Sequence, residues 1–396
     1  MMRKINLDYT ILITSGLLLI LGILILTSVS TTISQERFGN PFYFLSRQLS
    51  LGLIPGLLLG FLAFKIKLNS LRKWSPFLLL INLFVLALVF FPGIGISSGG
   101  ASRWVDFKLF AFQPAEFLKI TFFIYLAAWL ESRVKERGEK KERDNFRKRK
   151  KNDDFSQASE TNLSSLFGFF VLLGIIGILL IFQPNISTLS VITTVGIIMY
   201  FASGTPLWHS FLIAIIIGGG FLTLIKTTAY RISRLQVFFN PNLDPLGQGY
   251  QIKQSLIAIG SGGLFGLGLG MSRQKFGFLP ESTSDTIFAI LTEEIGFAGG
   301  LTVIALFLIF LWRGIKIGKE SQDSFSRLLA LAISSWICLQ AFIHIGSAIR
   351  ALPLTGIPLP FITYGGSHLV AELIGVGLLL NISRRNYHIS FYNNNE

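Results

Sequence analysis

The 396-residue chain has one cysteine, Cys338, and four histidines. A lone cysteine closes no internal disulfide. His209, His344, His368 and His388 show no metal-ligand spacing and have no cysteine cluster beside them, so a zinc-type centre is excluded. Charge is scarce as well. Only 14% of residues are charged, where an ordinary globular domain carries about 25%. A soluble multidomain enzyme would have no polar surface left to meet water, and a disordered chain is excluded by the same count. No Ser-His-Asp order stands out, and no internal repeat is visible. What is present is apolar and basic. Hydrophobic residues make up 51%, with 37 Phe and 39 Gly, and the net charge is +14. The mean hydropathy is +0.60. In a soluble protein that charge would suggest nucleic acid; in a membrane protein it suggests cationic loops on one face.

A spanning helix needs about 20 mostly apolar residues. Ten segments qualify as expectations: 9–29, 48–65, 75–91, 113–131, 165–182, 186–203, 209–226, 286–311, 328–349 and 366–382. The fold class is therefore an all-α, polytopic integral membrane protein. The N-terminus, MMRKINLDYT, is basic and runs into an apolar stretch with no small-residue cleavage site, so it reads as a retained first span. With the N-terminus inside, 23 of the 35 Lys and Arg fall on the cytoplasmic side and 11 outside, with Lys119 inside a span. That bias places both termini in the cytoplasm. It also removes the nucleic-acid reading: eleven of the cations lie between Arg133 and Lys151, in a charged cytoplasmic loop (131–164) that has little beyond charge. Such a loop touches anionic lipid headgroups.

Two regions assigned to the outer face are too apolar and too rich in Gly and Pro for ordinary loops. One is the large extracytoplasmic loop between helices 7 and 8 (227–285). The other is 351–365, with Pro353, Pro358 and Pro360. Irregular backbone near membrane depth survives only when packed in protein or lining a cavity, so a site is expected here. Within the first, Ile252, Leu256 and Ile259 share a helical face that suits a helix lying in the interface.

Ionisable groups inside spans are costly and point to function. Glu116 and Lys119, three residues apart, share a helix face and can neutralise each other. Arg103 and Trp104 precede them as a membrane anchor or as a cation and aromatic face for a headgroup. Asp285 enters the eighth span. Ser282-x-x-Asp285 fits a capping box, and the alternative is a partly desolvated carboxylate serving as general base. Glu293, eight residues on, and Glu372 in the tenth span are expected to hold polar partners inside the bundle; Glu294 faces away from Asp285. Gly260–Gly270 (GSGGLFGLGLG) lacks the lysine of a phosphate loop and reads as close-packed backbone. Activated nucleotide donors belong to the cytoplasm, so an outer-face site needs a donor that carries its own activation, such as a polyprenyl-pyrophosphate sugar. Arg231, Arg234, Lys253, Arg273 and Lys275 are the cations placed to meet its pyrophosphate.

At these residues the chain resembles the SEDS family (shape, elongation, division and sporulation), which includes FtsW, RodA and SpoVE-like proteins. The resemblance runs over nearly the whole chain as one membrane domain, 1–396. FQPAEFLK (112–119) is similar to the family's QPSE-x-x-K. FFNPNLDPLGQGYQIKQSLIAIGSGGLFGLGLG (238–270), which contains Gln251, resembles its signature outer loop. LPESTSDTIFAILTEEIGFAG (279–299), with Glu281, resembles its LPE…TDFIF…EE-x-G motif, and LPLTGIPLPFITYGG (352–366) its last outer loop. GLGLGMSRQKFGFLPE (266–281) is closer to the division-type FtsW branch. The departures are Asn185 for Asp, Ser187 for Gly, Thr286 for Phe, His344 for Asn, His368 for Ser, and Arg350 where a small residue is usual.

The resemblance implies a peptidoglycan glycosyltransferase of the bacterial cytoplasmic membrane that polymerises lipid II, with a class B penicillin-binding protein and divisome or elongasome proteins as partners. It assigns catalysis to Asp285 and binding roles to Gln113, Glu116 and Lys119. A divalent cation is an optional helper. Two rivals from other classes remain: a lipid II flippase using Glu116, Lys119, Glu293 and Glu372 as a polar path, and a scaffold that recruits the transpeptidase.

Overall fold

The computed structural model describes residues 7–98, 101–106, 108, 111–148, 157–206, 208–226 and 229–393. The basic residues 1–6 and the centre of the charged loop, 149–156, lie outside them. The protein is a mostly helical, multi-pass membrane protein. Its elements are α1 (Tyr9–Phe38), α2 (Tyr43–Arg47) running through a π-helical turn into α3 (Ile54–Lys65), α4 (Leu68–Leu88), β1 (Gly95–Ser98), β2 (Ala101–Asp106), β3 (Ala111–Phe112), α5 (Pro114–Lys148), α6 (Gln157–Phe182), α7 (Ile186–Ala202), α8 (His209–Lys226), α9 (Ala229–Phe239), α10 (Gln248–Ser261), α11 (Ile287–Glu320), α12 (Ser324–Ala348) and α13 (Gly366–Asn393). All ten apolar segments are helical in the structure. Among the described residues, seven helices are long and apolar enough to cross a membrane: α1, the α2–α3 run, α4, α6, α11, α12 and α13. α7 and the described part of α8 are shorter, and α5 carries its apolar half before a charged extension. The all-helical expectation needs one correction. Residues 95–112 form a small antiparallel sheet ordered β1-β2-β3, with Ile96 opposite Trp104 and Val105 opposite Phe112. Ile96, Val105 and Phe112 are the kind of branched and aromatic residues that favour pleated pairing.

The chain folds as two compact units. The first comprises Met1–Lys65, Gly220–Lys316 and Ser334–Glu396; the second comprises Ile66–Gly219 and Ile317–Ile333. In the first, α13 is a core helix, with 83% of its apolar stretch buried, whereas the α2–α3 run has 22% buried. Ile54, Leu57, Leu58, Phe61 and Leu62 on α3 are exposed, as a lipid-facing surface requires. The two helices meet through Gly56, Gly60 and Gly377. A Cβ on Gly377 would strike the carbonyl of Gly60, and one on Gly56 would strike the Leu373 side chain. This is the small-residue crossing by which membrane helices gain packing without a hydrophobic drive. Asn381 closes it with a bond from Nδ2 to the Ala63 carbonyl at 2.9 Å. α1 is capped by Asp8, whose carboxylate accepts from Ile11 N at 3.2 Å and from Arg313 Nε at 2.6 Å.

α10 is the helix expected at 252–259. Gly249, Ile252, Ser255 and Ala258 are buried at a spacing of three, and Leu256 is exposed.

Candidate active site

The two irregular regions meet within the first unit. α11 is broken at Gly296, whose φ of 73° and ψ of −176° are non-helical. The glycine-rich segment after α10 fills the break like a short strand. Phe297 N and Ala298 N donate to the carbonyls of Gly263 (2.9 Å) and Leu264 (3.0 Å), while Leu267 N and Gly268 N donate to those of Glu293 and Glu294, both at 3.0 Å. A Cβ on Gly266 or Gly296 would collide with the facing backbone. Gly262 and Gly266 are thus close-packed against the backbone of α11, and the freed helical carbonyls and amides are satisfied by protein.

Glu293 and Glu294 pin the rest of this segment. Glu293 accepts from the Ser272 hydroxyl, from Arg273 N at 3.1 Å and from Gln274 N at 3.4 Å. Glu294 accepts from the Ser28 hydroxyl at 2.5 Å and pairs with Lys275 at 3.4 Å. Lys275 is buried and also donates to the Gly270 carbonyl at 2.6 Å. Its position is that of a packing cation, whereas Lys253 is exposed and donates to Asn242 Oδ1 at 2.8 Å. Gln251 is half-buried on α10.

Asp285 stands half-buried in the turn leading into α11, two residues before its first helical residue, Ile287. The helix begins too late for Ser282 and Asp285 to frame it as a capping box. The turn is instead built on Glu281, whose φ is 51° and whose carbonyl accepts from Ser284 N (3.0 Å) and Thr286 N (3.3 Å). The exposed Glu281 side chain accepts from the Ser284 hydroxyl at 2.8 Å. Thr286, one of the departures, is buried and shares its hydroxyl proton between the carbonyls of Pro280 (2.9 Å) and Glu281 (3.1 Å). A phenylalanine could not make that tie.

Residues 351–365 lie against this turn. Tyr364 N donates to the Thr283 carbonyl at 3.1 Å. Gly356, with φ 67°, faces the Asp285 carboxylate: a Cβ there would lie 3.5 Å from Oδ2. The segment is irregular but fastened on several sides. Arg234 donates to the Leu354 carbonyl at 2.8 Å, His344 Nδ1 to that of Ile357 at 2.8 Å, Phe361 N to Glu372 Oε2 at 2.8 Å, and Gly365 N to Gln48 Oε1 at 2.9 Å. His368 Nε2 donates to the Thr363 carbonyl at 3.0 Å. Glu372 and Glu293 therefore do hold polar partners within the fold.

Arg350 sits where α12 ends. Ala351 N bonds the Gly346 carbonyl (2.7 Å) and Arg350 N that of Ser347 (3.2 Å), which is the Schellman pattern with Arg350 in the left-handed position, φ 58°. Glycine or asparagine is usual there. The guanidinium compensates by donating to the carbonyls of Phe238 (3.1 and 3.2 Å) and Phe239 (3.1 Å), the last of α9. A cation at a helix C-terminus is favourable. Sequence reasoning saw the departure and missed this role, because the two partners are more than a hundred residues apart.

The second unit holds the other charged group. Glu116 and Lys119 are both buried and bond at 2.7 Å in the first turns of α5. Gln113, half-buried, lies just before the helix, and its carbonyl accepts from Glu116 N at 3.2 Å. Arg103 on β2 donates to the carbonyls of Gln183 (3.3 Å) and Pro184 (2.5 Å), so it secures the connection between α6 and α7; Trp104 beside it is half-buried. Asn185 caps α7, accepting from Thr188 N at 3.3 Å, a task that needs an acceptor and no charge. Arg231 is half-buried in α9 of the first unit. Among the described residues, no three His, Cys, Asp or Glu side chains gather as a metal site would require.

The family model described as "Cell cycle protein", covering FtsW, RodA and SpoVE, matches residues 8–388. The chain belongs to the FtsW/RodA/SpoVE family. It is 38% identical to "Stage V sporulation protein E" of Bacillus subtilis (strain 168), over 96% of this chain and 98% of that one. It is 35% identical to "Probable peptidoglycan glycosyltransferase FtsW" of Geobacter sp. (strain M18), over 97% and 99%. The FtsW/RodA/SpoVE match spans both compact units, and sporulation and division relatives are similar to nearly the same degree. Among solved structures, a chain of a peptidoglycan synthase complex that coordinates polymerization and crosslinking superposes with TM-score 0.73 and 26% identity, covering 96% of this chain and 99% of that one. The crystal structure of Thermus thermophilus RodA shares the fold, with TM-score 0.66 and 24% identity over 97% and 99%.

Proposed function

We propose that the chain is a peptidoglycan glycosyltransferase that polymerises lipid II at the outer face of the bacterial cytoplasmic membrane, with both termini in the cytoplasm and ten crossings. The observation that carries the reading is the setting of Asp285: a half-buried carboxylate in a turn fixed by its own backbone, facing a glycine on a second fastened segment. Asp285 takes the proton from the acceptor GlcNAc 4-hydroxyl as that oxygen attacks C1 of the donor MurNAc. The C1–O bond to undecaprenyl pyrophosphate breaks, and the α-linked donor gives a β-linkage. Gly356 leaves room beside the carboxylate for the sugar. Arg231, Arg234, Lys253 and Arg273 are the cations of the same unit that can meet the departing charge. Glu116 and Lys119, buried in α5, help position the headgroup by fixing the first turns of that helix.

The partner is a class B penicillin-binding protein in a division or elongation assembly. Support comes from the FtsW and SpoVE relatives and from the likeness to a chain of a synthase complex. The test is polymerisation of purified lipid II by the protein with that partner. Glycan product that disappears in Asp285→Asn supports the assignment, and wild-type rates in the variant overturn it. Headgroup translocation in vesicles without any glycan product would favour the flippase.

A further inference from the structure

A cavity of about 680 Å³ opens between α4 and α5 in the second unit, lined by Asn69, Arg72, Lys73, Tyr125, Trp129 and Lys135 among others. We propose that it is a binding site for the headgroup of an anionic phospholipid. Its volume is that of an ordinary ligand pocket. Its place along the helices is that of a headgroup. α4 begins at Leu68, and the apolar stretch of α5 ends at the buried Glu131, so the cavity lies where both helices leave the hydrocarbon.

The charges are arranged for a phosphate. Glu131 is buried and holds Arg72 Nη1 at 2.9 and 3.1 Å and Lys135 Nζ at 3.0 Å. One carboxylate thus fixes two cations at the cavity rim, and Arg72 spends only Nη1 on it. The remaining guanidinium donors match the fork geometry that arginine presents to phosphate. Lys73 is exposed at the same rim. Three cations against one carboxylate leave a local excess of positive charge. The aromatic rings of Tyr125 and Trp129 are also at home beside headgroups, and Arg133 lies over Trp129 at 5.6 Å.

A path for the acyl chains continues from the site. Phe77, Leu80 and Phe84 are exposed on α4, at three- and four-residue steps from Lys73. A phosphate seated at the cavity rim would lay its chains along that stripe. A zwitterionic lipid brings a choline or ethanolamine cation to a positive rim, so the site discriminates by headgroup charge.

The experiment uses the full-length protein stripped of lipid and returned to nanodiscs of phosphatidylcholine, with or without phosphatidylglycerol or cardiolipin. Bound lipid is read by native mass spectrometry. Wild type should retain the anionic lipid in preference to phosphatidylcholine. Arg72→Gln leaves Glu131 short of a partner and risks the fold, so the exposed Lys73 carries the test. Lys73→Gln should weaken anionic retention about fivefold and Lys73→Glu by more, as juxtamembrane cations do. Equal retention of anionic and neutral lipid, or retention unchanged in Lys73→Glu, overturns the proposal. Displacement of the lipid by millimolar inorganic phosphate would overturn it in favour of a free-phosphate site; survival of the lipid under phosphate supports it.

Discussion

Two charged regions of this protein sit among apolar helices and are built on opposite plans. Around Asp285 the backbone is irregular, and side chains bond to it: the buried Glu293 to amides of 273 and 274, Glu372 to Phe361 N and His344 to Ile357, and the exposed Arg350 to Phe238 and Phe239. Around Glu116 and Lys119 the backbone is regular helix, and the two charges pair with each other. The difference is instructive. A helix needs nothing from its side chains to satisfy its backbone, so a buried charge on it needs an opposite charge or donors from an irregular segment beside it. An irregular segment exposes amides and carbonyls, and ionisable side chains become its fasteners. The first plan can hold a carboxylate such as Asp285 at a chosen place outside a helix; the second produces a rigid buried pair.

The largest expected effect tests the role of the first region. Asp285→Asn should lower lipid II polymerisation by about 10²–10⁴-fold, the range for loss of a general base, with melting temperature unchanged. Next comes the pair. Lys119→Met should destabilise the protein by about 3–5 kcal/mol because it strands a buried carboxylate. Adding Glu116→Gln should restore much of that in thermal unfolding. If the double variant melts no higher than the single one, the pairing does not carry that stability.

Glu293→Gln should cost about 1.5–3 kcal/mol, since it removes the charge from several hydrogen bonds. Protection of the 262–275 amides in hydrogen exchange should fall with it. The smallest effect is at Arg350. Arg350→Ala keeps the left-handed strain and loses the bonds to α9, whereas Arg350→Gly loses the bonds but relieves the strain, worth about 1–2 kcal/mol. The glycine variant should therefore melt above the alanine variant. Equal melting would show that the left-handed turn carries no strain.

Much of this was legible in the residues. Ten apolar runs announced ten helices, and the three-residue spacing of Glu116 and Lys119 announced their pair. The reading of the glycine-rich stretch as close-packed backbone holds at Gly262 and Gly266, and the two Gly/Pro-rich regions contain irregular backbone around Asp285. The capping box failed because Glu281 takes a left-handed turn that delays the helix. The small sheet was missed because its strands are short and lie in a connection.

By itself, then, the sequence determined what is local and additive: which stretches are apolar enough for lipid, which faces carry charge, and which family the motifs belong to. Only the tertiary structure decided what depends on distant backbone. The break at Gly296, the tie of Arg350 to α9 and the opposition of Gly356 to Asp285 all join segments far apart in the chain. Each depends on a partner group whose position is set by packing, and no periodicity in one segment encodes where another segment's free carbonyl will be.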